Sequence, residues 1–370
     1  MDGVPLAEIV RHPAEDRNAR ELAALRDADR HPRPPGWLLS PRMVETFVLG
    51  SREEYRAPDG QRLRVSPKYV GDRALVQVAI ATLASDRALL LVGEPGTAKS
   101  WLSEHLAAAI SGTSRYVIQG TAGTTEDQVK YSWNYALLLA EGPSERAIVP
   151  SPLLRSMLEG KLVRFEELTR CTSEIQDTMI SILSEKEVAV PELGRIVPAA
   201  RGFNVIATAN TRDRGINDMS SALRRRFNFV TLPVVGEPEA EMAIVRKRAD
   251  DLMTDYKIRA EIPDDLVRVL VTTFQELRLG RTLDGGTKLK SPSAPLSTAE
   301  AISVLGNGMS LAGHFGQGQV SDRDIAAGLI GAVITEDAKD EAIFVEYLEN
   351  ILKKRGAEWA GLYKACKELV

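Results

Sequence analysis

Gly93-Glu94-Pro95-Gly96-Thr97-Ala98-Lys99-Ser100 decides the fold of this chain. The apolar run Ala88-Leu89-Leu90-Leu91-Val92 precedes it, and a helical pattern from Trp101 to Ile110 follows. A strand, a glycine-containing loop and Lys-Ser opening a helix form the context that a phosphate-cradling P-loop requires. Backbone N–H groups of such a loop point at a phosphate, and the helix N-terminus adds its positive dipole end. Lys99 is placed to reach the β- and γ-phosphates of ATP, and the Ser100 hydroxyl to ligate Mg²⁺. The nucleotide-binding stretch is therefore read as Gly93, Glu94, Pro95, Gly96, Thr97, Ala98, Lys99, Ser100 and Trp101. Ala98 stands where a second glycine is usual, and its methyl group predicts φ below zero there.

Outward from this loop the pattern alternates. Helical periodicity through Leu75, Val76, Val78, Ala79 and Leu83 precedes the loop strand. After it, strand-like runs at 115–119, 161–165, 203–210 and 229–232 are separated by helical patterns at 152–158 and 171–183. Such alternation predicts an α/β fold with a mostly parallel sheet between helices. From Glu237 onward no convincing strand occurs. Several helices are expected there, interrupted by a polar Gly/Lys/Ser/Pro stretch from Gly280 to Pro295. The expected organisation is an N-terminal helical extension and linker (1–66), a nucleotide-binding core (67–236) and an all-helical lid domain (237–370). The Pro-rich stretch His31 to Gly36 breaks the N-terminal helix and is read as a linker or boundary within the extension.

Three further clusters carry chemistry. Leu162-Val163-Arg164-Phe165-Glu166-Glu167 is a strand ending in two acids, as in a Walker B element. Glu166 would hold Mg²⁺ through a water, and Glu167 would polarise the attacking water. Asp is usual at the first position, and an arginine within a buried strand is unusual. Val205 to Asn210 is a buried strand ending in an amide. Asn210 could hold the attacking water opposite Glu167, or simply begin a turn. Arg224-Arg225-Arg226 closes a short helix. Arg226 first, and Arg225 second, are candidates for an arginine donated to a neighbour's γ-phosphate. The alternative is a favourable interaction of cations with the helix C-terminus.

Bulk composition narrows the class. With 44% hydrophobic and 26% charged residues the chain reads as a globular protein, and its length allows two or three domains. A net charge of −4 gives no general electrostatic reason to bind nucleic acid. Cys171 and Cys366 make neither a disulfide framework nor a metal site. The first twenty residues are charged throughout and no long apolar stretch occurs, so neither a signal peptide nor a membrane span is expected, and a cytoplasmic location is.

As an ordered set, these motifs resemble the AAA+ ATPases, and specifically the MoxR branch, which is related to the McrB-like and dynein-like groups. The likeness is carried by GEPGTAKS, by Phe165 to Arg170, by Gln176 to Val190, by Val205 to Asn210 and by Ala222 to Phe227. It covers about residues 70–235 strongly and the helical tail loosely. The resemblance implies a homo-hexameric ring with ATP at each subunit interface. It also implies two insertions: a helix-2 insert at about 121–150, with Tyr131, Trp133 and Tyr135 on alternate positions, and a hairpin before sensor 1 at about 187–197. A lid arginine after Ser-Pro, the family's sensor 2, is absent from Lys290 to Glu300; either Arg281, Lys288 or Lys290 substitutes for it or the role is vacant. The function implied is an ATP-hydrolysing remodelling or maturation chaperone for a protein client, a von Willebrand A-type partner being one candidate. A nucleic-acid motor or restriction-type subunit, and a nucleotide-gated scaffold with slow hydrolysis, are the alternatives.

Overall fold

A computed structural model describes residues 10–210, 219–293, 296–334 and 338–370. Ala294 and Pro295, which belong to the Lys290 to Glu300 stretch read above, lie outside them. The chain divides into two compact units. One runs through Glu94 and Ala98–Leu232; the other comprises Pro95–Thr97 and Pro233–Val370.

The first unit is built on five parallel strands: β1 (Ala88–Gly93), β2 (Val117–Gln119), β3 (Leu162–Glu166), β4 (Asn204–Asn210) and β5 (Phe227–Thr231), in the order β5-β1-β4-β3-β2. Side chains alternate across each strand. Leu89 and Leu91 enter one apolar core while Ala88 and Leu90 enter the other. A sheet buried on both faces needs such near-continuous apolar strands. Register brings three strand ends together. Asn210 lies opposite Gly93 on β1, and Ala207 opposite Phe165 on β3. The C-terminal sheet edge thus carries the loop, the two acids and the amide.

Residues 10–66 do not stand apart as an extension and linker. Leu22, Leu25, Trp37, Leu39, Val44 and Phe47 are buried in the same core as Leu89, Leu91 and Leu106. The Pro-rich stretch is stitched down at Asp29. Its carboxylate accepts from the Ser40 backbone N–H at 2.7 Å and hydroxyl at 2.8 Å, and from the His31 backbone N–H at 3.1 Å. The prolines mark a tight excursion within one unit.

Two antiparallel hairpins fall within residues 131–150 and 187–198. Tyr131–Trp133 pairs with Ile148–Pro150 and encloses the short helix Tyr135–Glu141; Glu187–Val190 pairs with Arg195–Pro198. The Tyr131 hydroxyl donates to Glu192 at 2.8 Å, and Arg195 pairs with Glu145, so the hairpins are tied together. Tyr131 and Trp133 pack edge to face, while Tyr135 is exposed.

In the second unit the described residues form six helices of twelve residues or more: Pro238–Asp255, Asp264–Leu279, Thr298–His314, Asp322–Val333, Ala338–Asn350 and Ala357–Leu369. Capping boxes at Ser297/Glu300 and Ser321/Asp324 fix two of the starts. Arg281 and Lys288 form an isolated bridge, and Lys290 bonds Glu346 at 3.0 Å. Fully buried Glu241 accepts from Arg278 at 2.8 Å, Gln275 at 2.6 Å and Thr298 at 2.7 Å. Removing one partner of a buried pair leaves the other charge uncompensated. Arg278→Met is therefore expected to cost about 3–5 kcal/mol in urea unfolding, with partial recovery when Glu241→Gln is added. A loss under about 1 kcal/mol would show that the pair is not what holds these helices. No helix among the described residues is long and apolar enough to cross a membrane.

Candidate nucleotide site

The loop leaves β1 at Gly93 and turns through Gly96 at φ +78°. Ala98 has φ +63° and ψ +24°, contrary to the negative φ predicted for it. That left-handed residue turns the loop into the helix Lys99–Ser111, whose first bond runs from Leu102 N–H to the Ala98 carbonyl at 2.8 Å. Alanine there costs roughly 1–2 kcal/mol relative to a right-handed conformation. Ala98 is exposed, so its methyl group is not packed into the core. The buried Lys99 ammonium lies inside the loop and donates to the carbonyls of Glu94 at 2.7 Å and Gly93 at 3.1 Å.

Period two puts Arg164 and Glu166 on the sheet face covered by this helix. The Glu166 carboxylate, 4% exposed, receives four donors. Oε2 accepts from Ser100 at 2.7 Å and Thr208 at 2.8 Å; Oε1 accepts from Ser103 at 2.6 Å and Arg164 at 2.8 Å. Burial works to raise its pKa, but the Arg164 charge and three hydroxyls outweigh burial and hold it below the ordinary carboxylate value. Ser100 and Glu166 together offer oxygen ligands to a hard cation, which suits Mg²⁺. No group of three or more His, Cys, Asp or Glu residues among the described residues could hold a metal ion by itself. These residues thus fit a Mg²⁺ that keeps waters and shares nucleotide phosphates, the usual way this ion is held.

Glu167 follows at φ +55°. Its backbone N–H donates to Thr208 Oγ1 at 2.9 Å, and its carboxylate pairs with Arg170 Nε at 2.5 Å. Gly120, at the end of β2, passes so close that a Cβ there would sit 2.6 Å from the Glu167 carbonyl oxygen. Loop, Ser100, Glu166, Glu167 and Asn210 therefore share one sheet edge.

Arg225 and Arg226 do not join them. The Arg226 carbonyl accepts from Ala88 N–H at the start of β1, a strand length of roughly 17 Å from Gly93 at about 3.3 Å per residue. Arg226 Nη1 donates to the Ala222 carbonyl at 2.6 Å and its Nε to Ser184, whereas Arg225 is exposed. In one subunit neither guanidinium reaches the loop edge.

Trp101 faces the chain's own N-terminal region. Its indole N–H donates to the Lys68 carbonyl at 2.7 Å, and its ring lies 4.5 Å from His105 and 4.7 Å from the Arg17 guanidinium. His105 Nδ1 is 2.7 Å from the Trp101 carbonyl; since a carbonyl only accepts, Nδ1 carries the proton. Burial drives the His105 pKa down to about 4. An unfolded histidine titrates near 6.5, so between these values the unfolded chain binds more protons. This contribution is present above about pH 6.5 and is lost as pH falls toward 4, on the order of 3 kcal/mol in all. Urea unfolding at pH 7 and pH 4.5 should show that slope in the wild type and a shallower one in His105→Phe. Equal slopes would remove His105 from the account.

Ser103, Thr208, Arg170 and Gly120 were not singled out from the sequence. Ser103 carried a signal, since three residues past Ser100 it shares the helix face. Thr208 and Gly120 depend on strand register, which spacing alone does not give.

The family description "AAA domain (dynein-related subfamily)" matches residues 88–227, and "YehL-like AAA+ ATPase C-terminal domain" matches residues 239–370. YehL of Escherichia coli (strain K12) is 40% identical over 360 residues, 96% of each chain. YojN of Bacillus subtilis (strain 168) is 25% identical over 200 residues, 54% of this chain and 65% of that protein. Among solved structures, NtrX from Brucella abortus in complex with ADP is similar at a TM-score of 0.50 and 12% identity. That similarity covers 80% of this chain and 64% of the NtrX chain, and it bears on fold alone. With an α/β core matched to one AAA+ description, a helical tail matched to another and YehL aligned almost end to end, the chain belongs to the YehL-like AAA+ ATPases.

Proposed function

We propose that this chain binds Mg²⁺–ATP at the C-terminal sheet edge and hydrolyses it as a MoxR-type ring ATPase that remodels or matures a protein client. The observation that carries the reading is the convergence of the Lys99–Ser100 helix start with Glu166, Glu167 and Asn210 across three adjacent strands. Loop N–H groups and Lys99 would bind the phosphates, exchanging the lysine's bonds to Gly93 and Glu94 for phosphate oxygens. Ser100 and Glu166 would hold the metal, which when bound neutralises charge on the β- and γ-phosphates. Glu167 would take the proton of the attacking water, and Asn210 would orient that water. Because Arg225 and Arg226 lie at the far end of the sheet, their contribution would come from a neighbouring copy, with a homo-hexameric ring as the assembly. The client, including the von Willebrand A-type candidate, and a cytoplasmic site of action follow from the MoxR resemblance. A nucleotide-gated scaffold with slow hydrolysis is the second reading, favoured by Glu167 being engaged by Arg170.

Phosphate release from Mg²⁺–ATP by the purified chain, alone and with a protein fraction or with DNA, tests the reading. Turnover raised by protein is expected. Stimulation by DNA alone would favour a nucleic-acid motor, and binding without turnover the scaffold.

A further inference from the structure

Arg164 is the feature that the proposed chemistry does not use. It sits inside β3 with 9% exposure, where an arginine without partners would be costly. Its contacts all run to one neighbourhood. Nη2 donates to Glu166 Oε1 at 2.8 Å and to the Ser100 carbonyl at 3.3 Å; Nε donates to the Ser103 hydroxyl at 3.0 Å; Nη1 donates to the Ser114 carbonyl at 3.2 Å. The guanidinium therefore spans Glu166 and the first turn of the loop helix.

We propose that Arg164 is the built-in counter-ion and positioning residue of Glu166, the feature that allows glutamate to stand where the shorter aspartate is usual. A glutamate carries one more rotatable bond, so its carboxylate must be held at two points to present one oxygen reproducibly. Arg164 and Ser103 hold Oε1, which leaves Oε2 on Ser100 and Thr208, the oxygen that it would share with Ser100 in holding a cation. The pair is also neutral. A buried carboxylate on this face would otherwise lack its charge partner until a cation arrived. With Arg164 in place the site is assembled beforehand, and a cation is drawn mainly by the phosphates that accompany it.

Two measurements test this. The first needs neither metal nor nucleotide. In EDTA, Arg164→Met is expected to lower the melting temperature by several degrees, and Arg164→Met with Glu166→Gln to regain most of that loss, because the charge to be neutralised is gone. If the double variant melts as low as Arg164→Met, or fails to fold alongside it, Arg164 serves packing rather than Glu166 and the proposal is overturned. If Arg164→Met does not fold while the double variant does, the proposal stands. The second rests on the nucleotide reading above. Arg164→Met should raise the Mg²⁺ concentration for half-maximal binding of a fluorescent ATP analogue several-fold, with affinity in EDTA unchanged, and adding Glu166→Asp should bring it back. Loss of a cation would by charge alone tighten Mg²⁺ binding, so an unchanged or lower Mg²⁺ requirement would overturn the positioning role. A wild-type chain that binds no nucleotide would sink the nucleotide reading and leave the stability result to decide the pair.

Discussion

Glu167→Gln is expected to bind a fluorescent ATP analogue as tightly as the wild type and to hydrolyse ATP at least about 10²-fold more slowly, the scale of a positioned general base. The amide keeps the shape of the side chain but cannot accept the water's proton. Glu167 is suited to the role by its backbone. The left-handed turn at φ +55° and the N–H bond to Thr208 take the residue out of line with β3, while Glu166 stays in the strand under the loop helix. Two adjacent acids are thereby given different surroundings: one buried under four donors, the other partly exposed and paired with Arg170. Arg170→Ala should leave binding intact and change turnover, since it frees the Glu167 carboxylate. Equal turnover in Glu167→Gln would move the base to Glu166 or to another group.

The second large effect concerns the arginines. A trans-acting arginine contributes on the order of 10³-fold or more to phosphoryl transfer. Arg226→Ala or Arg225→Ala is expected to reach that loss with nucleotide binding preserved. The two differ in their own subunit. Arg226 is anchored to Ser184 and the Ala222 carbonyl, so its removal should also lower the melting temperature, whereas exposed Arg225 should not. A loss of turnover in Arg225→Ala without a change in stability would make Arg225 the donated residue and Arg226 its support. Mixing the inactive arginine variant with Lys99→Ala subunits should restore part of the activity, because some interfaces then pair an intact Lys99 with an intact arginine. Full turnover by a diluted monomer would return both arginines to a structural role.

Much of the nucleotide site was legible because it is local. A strand, a loop and a helix in sequence place Gly93 to Ser100 without knowledge of distant contacts, and the strand-final positions of Glu166 and Asn210 put them on the same sheet edge once the strands are parallel. What escaped depends on distance in sequence. The N-terminal helix Ala19–Ala28 buries only Leu22, Ala24 and Leu25, too weak a stripe to announce a core element. It is held by pairs across many residues, such as Glu21 with Lys68, while Arg17, just before it, reaches Glu104. Ala98 was misjudged for a different reason: the identity of a residue sets the cost of a left-handed turn, but the chain around it decides whether the turn is made. Arg164 was visible as an oddity, yet its partners Ser103 and Ser114 come from a different helix and loop, and only packing joins them.

The central claim, that Lys99 and its loop form the nucleotide site, is tested most directly by titrating the wild type and Lys99→Ala with a fluorescent ATP analogue, with and without Mg²⁺. Saturable, Mg²⁺-strengthened binding is expected of the wild type, and at least a tenfold weaker affinity of the variant, about 1.4 kcal/mol or more. Equal affinity of the two proteins would contradict it.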